Sequence, residues 1–97
     1  KTIVGYGATA KSTTLLNYFG INNRVIAYIV DDSKYKQGLF TPGTHIKVEP
    51  TEKIYIDRPD YLLLLVWNFD QPIMKAHRKY NQLGGKFILP VPHPKIV

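Results

Sequence analysis

The apolar positions of this chain fall into two kinds of pattern. Val25-Ile26-Ala27-Tyr28-Ile29-Val30 and Tyr61-Leu62-Leu63-Leu64-Leu65-Val66 are continuous apolar runs, the signature of strands buried on both faces of a parallel sheet. Two shorter runs, Lys1–Val4 and Lys86–Leu89, read as further strands. Between them the period changes. Ala8, Ser12, Leu15, Leu16 and Phe19 recur at steps of three and four and predict a helix from Thr9, stopped by Gly20. Phe69, Ile73, Ala76, Tyr80 and Leu83 form a second apolar stripe. Asn68 is the expected N-cap of that helix, with Gln71 as capping-box partner and Gly84-Gly85 as its end. His77 lies beside the stripe and is expected at the surface.

The remaining stretches are connections. Ser33–Thr44 is polar and broken by Gly38, Pro42 and Gly43, a loop long enough to suspect a role. His45–Val48 reads as a short extended piece and Thr51–Ile56 as one or two helical turns. Pro90, Pro92 and Pro94 lack the N–H that pairing on both edges needs. The order β-α-β-loop-(α)-β-α-β implies right-handed crossovers. The expected product is one α/β domain over residues 1–97, a small Rossmann-like three-layer unit with a mostly parallel sheet of four to five strands.

Composition narrows the chemistry. The chain has 97 residues, 44% of them hydrophobic, and no cysteine. It holds one core and no disulfide, thiolate metal site or cysteine nucleophile. No apolar run approaches the ~18 residues of a membrane span, so no membrane partner is expected. A formal net charge of +6 favours an anionic partner. Nucleic acid is not expected, because the aromatics fall on strands and helix stripes rather than among basic residues. The chain opens on Lys1 with neither an initiator Met nor a signal peptide, which reads as a piece of a longer protein.

Open parallel sheets bind ligands beyond the carboxyl ends of their strands. Those ends carry Gly5-Tyr6-Gly7-Ala8-Thr9-Ala10-Lys11-Ser12, Asp31-Asp32, Trp67-Asn68 and Pro90-Val91-Pro92-His93. Gly5-x-Gly7-x-x-Ala10 matches the dinucleotide fingerprint, with Asp31 or Asp32 placed for a ribose hydroxyl. The same residues are a Walker A near-miss, or simply a tight turn. Lys11 either neutralises a phosphate or is solvated, and Trp67 either packs or stacks. Lys34, Lys36, Lys47 and Lys53 form a phosphate-facing patch or ordinary surface charge, and His45 is the histidine with a conceivable ordered role. No Ser/His/Asp set, carboxylate pair or metal-ligand spacing stands out, so no catalytic or metal-ligating residue is expected in the chain.

Four segments resemble one known family. Gly5 through Ile21 is similar to the opening of the C-terminal domain of the sugar C-methyltransferases. Lys36-Gln37-Gly38-Leu39-Phe40-Thr41-Pro42-Gly43-Thr44-His45-Ile46 resembles the second signature of that family, and Pro59–Asn68 and Gly84–Ile88 its third and fourth. Lys47 stands where the family often has Pro, and Phe19 where it often has Cys. The resemblance implies a methyltransferase that moves a methyl group from S-adenosylmethionine (SAM) to a carbon of a nucleotide-linked keto-sugar. Zinc-binding and SAM-binding domains, with the catalytic base, would lie outside these residues, leaving this piece inactive alone. Its implied partners are a nucleotide-diphosphate sugar and the SAM-binding domain of the same chain, in the cytoplasm. The implied substrate-binding residues are Gly5, Tyr6, Gly7, Ala8, Lys11, Ser12, Thr13, Asp31, Lys36, Gly43, Thr44, His45, Trp67 and Asn68. The competing readings are a nicotinamide-dinucleotide domain of an oxidoreductase and a non-catalytic docking domain.

Overall fold

The computed structural model describes residues 1–90 and 95–97. Its elements are β1 (Ile3–Tyr6), α1 (Ala10–Phe19), β2 (Ile29–Val30), β3 (Val48–Glu49), α2 (Lys53–Asp57) and β4 (Tyr61–Leu64). A 3-10 turn (Trp67–Phe69) follows, then α3 (Asp70–Ala76), α4 (Arg78–Gln82), β5 (Lys86–Leu89) and β6 (Lys95–Ile96). One sheet runs in the order β3-β2-β1-β4-β5-β6. All neighbours are parallel except β6, which pairs antiparallel with β5.

The chain leaves β1 toward β2 and leaves β4 toward β5, in opposite directions across the sheet. Right-handed crossovers then place α1 on one face and α3 and α4 on the other. The length predicted a single core, but the sheet divides the interior into two apolar clusters, one on each face. Leu16 packs with Ile26, Ile29, Ile46, Leu63 and Leu65, while Ile54, Ile73 and Tyr80 pack with Val4, Val30, Leu62, Leu64, Phe87 and Leu89. Successive leucines of β4 thus alternate between the cores, as a period of two requires. The α1 face is only half covered. Leu15, Phe19, Ile21, Val25, Leu63 and Ile88 are among the residues bordering an open apolar groove of about 360 Å³ there.

The sheet has six strands where four or five were expected, and both of its edges are short pieces. β3 is held where Ile29 N–H donates to Lys47 O at 2.9 Å and Asp31 N–H to Glu49 O at 3.1 Å. β6 returns after the prolines, with Phe87 and Val97 exchanging both backbone bonds. The Val25–Val30 run contributes less regular strand than expected: Val25 is exposed, and only Ile29–Val30 satisfies the full ladder.

Helix α1 begins and ends as its sequence dictates. Thr9 Oγ1 accepts from Ser12 N–H at 3.1 Å, and Gly20 adopts φ 68° at the C-terminus. The second long helix departs from expectation. Asn68 lies inside the 3-10 turn, no side chain caps α3, and Asp70 opens the helix by accepting from the Gln71 N–H at 2.9 Å. The helix also breaks at His77. Ile73 and Tyr80 face the core, whereas Phe69 and Leu83 are exposed.

Candidate functional site

The topological switch point lies between β1 and β4, where the strand order reverses. The turn after β1 occupies its carboxyl end. The glycines there answer to packing. A Cβ on Gly5 would stand 2.9 Å from Leu65 Cδ1, and one on Gly7, at φ 98°, would stand 2.8 Å from Val66 Cγ1. Tyr6 turns to the α2–α3 face and donates to Asp32 Oδ2 at 3.2 Å. Ser12 is buried, with its Oγ 3.0 Å from Thr9 Oγ1. It faces the core rather than the rim.

Asp31 is committed within the chain. Its Oδ2 accepts from the Ala8 N–H and its Oδ1 from the Ser33 N–H, both at 2.8 Å. The carboxylate expected to await a ribose instead ties the first turn to the start of the long loop. Lys36 Nζ lies 4.0 Å from the same group. Lys47 and Lys53 pair with Glu49 at 3.7 and 3.2 Å, and Lys53 also reaches Asp57 at 3.9 Å. Three of the four lysines of the expected patch, Lys36, Lys47 and Lys53, thus lie beside carboxylates that offset their charge.

The long loop folds back on β3. Gly38 N–H donates to Val48 O, Val48 N–H to Leu39 O, and Thr41 N–H to Ile46 O, at 2.7, 2.8 and 2.9 Å. Its tip is tightened by Gly43 at φ 77° and His45 at φ 54°. Thr41 and Thr44 are buried with their hydroxyls hydrogen-bonded to each other, and Thr41 Oγ1 also accepts from the Ile46 N–H at 3.0 Å. His45 stacks on Phe40 with ring centroids 4.7 Å apart.

Two cavities result, one on each side of the first turn of α1. The first, about 380 Å³, is lined by Ala8, Thr9, Ala10 and Thr13 on one wall and by Lys36 and Leu39–Pro42 on the other, with Val48. The second, about 360 Å³, lies between Lys11, Tyr18 and Trp67. Of the candidate residues, Ala8, Thr13 and Lys36 share the first, and Lys11 and Trp67 the second. Gly5, Tyr6, Gly7, Ser12, Asp31, Gly43, Thr44, His45 and Asn68 line neither. Val91–His93 lie outside the described residues.

Comparison with known proteins bears directly on this arrangement. A family model described as the C-methyltransferase C-terminal domain matches residues 1–92. The chain belongs to this family. C-methyltransferase NovU of Streptomyces niveus is 36% identical over 97 residues, which is 100% of this chain and 23% of that relative. The chain therefore spans under a quarter of the relative's length.

In this C-methyltransferase C-terminal domain, a second polar group lies on the other side of β1. Asp32 Oδ1 accepts from Thr51 Oγ1 at 2.6 Å, and Tyr55 Oη lies 2.7 Å from His77 Nδ1. The His77 ring meets Tyr6 edge-on at 5.4 Å. His77 is therefore half-buried and bonded, not the surface residue its place beside the stripe suggested. Burial pushes Tyr6 up to about 12, helped by Asp32, and raises Tyr55 as well. Among the described residues, no group of three or more His, Cys, Asp or Glu is placed to hold a metal ion. No helix among them is long and apolar enough to cross a membrane.

Burial also lowers the His77 pKa below its ordinary 6.5, against a smaller upward pull from Asp32. The fold thus favours the neutral ring, whose Nδ1 is hydrogen-bonded to Tyr55 Oη. The unfolded chain binds the proton more readily, so this contribution is complete above about pH 6.5 and fades as pH falls toward the folded value. Urea midpoints measured near pH 7.5 and pH 5.5 are expected to drop more in the wild type than in His77→Gln. Equal drops would show that His77 is not the linked group.

Proposed function

We propose that this chain holds the substrate of a SAM-dependent C-methyltransferase, and that its ligand is a nucleotide-diphosphate sugar. The observation carrying this reading is the convergence of two separated segments on one cavity. The first turn of α1 and the Lys36–Pro42 strip each supply a wall, and each belongs to a segment that resembles a family signature. The cavity is lined mainly by Ala, Leu, Phe, Pro and Val, with Thr9, Thr13 and Thr41 and one cation, Lys36; the Thr9 and Thr41 hydroxyls are already bonded within the chain. Such a lining suits a sugar of few hydroxyls beside an anionic diphosphate.

In this reading the SAM site and the base that removes the proton from the keto-sugar carbon lie outside these 97 residues. SAM supplies the methyl group. The chain's own part is to fix the sugar's position, which converts methyl transfer into a reaction between held partners. The engagement of Asp31 by Ala8 and Ser33, and of Asp32 by Tyr6 and Thr51, supports this division, because both carboxylates expected near a ribose are already bonded within the chain.

Titration with thymidine diphosphate, followed by amide NMR, is expected to shift Ala8–Thr13 and Lys36–Thr41. Lys36→Ala and Lys11→Ala are each expected to weaken binding about tenfold, the scale of one charge-assisted hydrogen bond. No shift at millimolar ligand, in either the 97-residue chain or an intact methyltransferase carrying it, would overturn the reading. Saturation by NADH in place of the diphosphate would favour the dinucleotide alternative.

A further inference from the structure

We propose that the open apolar groove beside α1 is the seat of an amphipathic helix of the same chain, supplied by the stretch that leads into Lys1 in the intact methyltransferase. This seat lies on the face of the sheet away from α3 and is independent of the nucleotide-sugar reading.

The two faces of β4 are sealed unequally. Leu62 and Leu64, on the α3 face, are 0% exposed, whereas Leu63, on the α1 face, keeps 8% of its surface. Phe19 and Val25, which also line the groove, are about half exposed. A parallel sheet is normally covered by helices on both faces. Over β4 and β5, α3 and α4 cover one face. Among the described helices, only the flank of α1 reaches the other. Every residue lining the groove is apolar, from Ile3 on β1 to Ile88 and Pro90 at β5. Such a lining offers a small polar ligand no side chain to orient it, but it matches the apolar stripe of a helix. Ile3 pairs with Tyr61, and Leu65 lies four residues beyond Tyr61, so the groove runs roughly 13 Å along the strands. About nine residues of helix cover that length.

Three observations choose the occupant. The 97 residues align with 23% of C-methyltransferase NovU, so a parent of that kind has chain in hand to supply a cover. Ile3 lines the groove two residues from Lys1, whereas Val97 borders a cavity on the α3 face with Gln71, Pro72 and Met74. Chain arriving at Lys1 therefore passes the groove, and chain leaving Val97 starts on the other face. Handedness agrees. A helix that crosses β5 and β4 into β1 moves across the sheet in the same sense as the step from β1 to β2. The right-handed rule that sets α1 on its face sets such a helix beside it. A second copy is a poorer fit, because each chain carries a net charge of +6 and like charges oppose self-association.

Photocrosslinking in the intact methyltransferase tests the occupant. The variants are Phe19→p-benzoylphenylalanine and Val25→p-benzoylphenylalanine. Both native side chains are half exposed, so neither change disturbs a sealed core. Irradiation followed by peptide mass spectrometry is expected to join each position to an apolar residue of the same chain. That residue should fall within about 20 positions before Lys1, the span of such a helix and a short connection. Ile56→p-benzoylphenylalanine, at a position 78% exposed on α2, is expected to give no such adduct. Crosslinks between two chains, seen as a doubled mass on a denaturing gel, would assign the groove to a second copy and overturn the proposal. Adducts elsewhere in the chain, no adduct from either groove position, or the same adduct from residue 56 would also overturn it.

Discussion

Gly85→Ala is expected to lower the stability of the chain by about 3 kcal/mol, the upper end of the usual cost of forcing a methyl group into a filled core. Gly85 is buried between α4 and β5, and a Cβ placed there would lie against Cζ, Cε1 and Cε2 of the Tyr80 ring. That ring cannot move aside cheaply. It is 2% exposed, its hydroxyl donates to Pro59 O at 2.8 Å, and it packs on Phe87 with centroids 5.7 Å apart. Gly85 is fixed as well, because its N–H donates to Tyr80 O at 3.2 Å and its carbonyl accepts from Asn81 Nδ2 at 2.8 Å. The neighbouring glycine is the control. Gly84 adopts φ 103°, and a Cβ there would meet nothing within 4 Å, so Gly84→Ala carries only the backbone penalty, about 1 kcal/mol. Urea unfolding of the two variants separates steric overlap from strain. A Gly85→Ala midpoint no lower than that of Gly84→Ala would show that the Tyr80 ring yields.

The layout of the domain was legible because its main elements are specified locally. Leu62–Leu65 is apolar at every position, and alternation then sends its side chains to two different cores. Thr9 and Gly20 bracket α1 by chemistry that acts within a few residues. The features that escaped depend on partners distant in sequence. β6 is two residues long and owes its pairing to β5, already in place, whereas β3 was expected only as an extended piece ending at Val48. Asn68 meets the short-range rule for a helix cap, but the 3-10 turn over Trp67–Phe69 shifts the helix start past it. The surface expectation for His77 failed because Tyr55, 22 residues away, supplies its hydrogen bond. The resemblance in the first turn and in Lys36–Ile46 pointed to the right family, while the division of those residues between two cavities required the fold.

Gly7→Ala is expected to cost about 2–3 kcal/mol, and Val66→Ala is expected to recover part of that loss when the two are combined. Two terms contribute. An alanine at φ 98° is strained whatever its surroundings, on the order of 1–2 kcal/mol. Its Cβ would also approach Val66 Cγ1 to 2.8 Å and Cγ2 to 3.0 Å. Val66 is β-branched and stiff at χ1, so it cannot withdraw by a simple rotation. Shortening Val66 removes the second term and leaves the first. The double variant is therefore expected to be more stable than the summed single effects by about 1 kcal/mol, within the range found for residues in contact. The same cycle tests why a glycine stands in this turn. If close approach of a phosphate were its only purpose, Gly7→Ala would weaken thymidine diphosphate binding with no energetic coupling to Val66. If the turn is shaped by its seat on β4, coupling appears in the unfolding free energy without any ligand. Strictly additive losses would overturn the packing explanation. The measured coupling would locate the glycine requirement in the 59-residue separation between Gly7 and Val66, a contact that no spacing rule within the first turn contains.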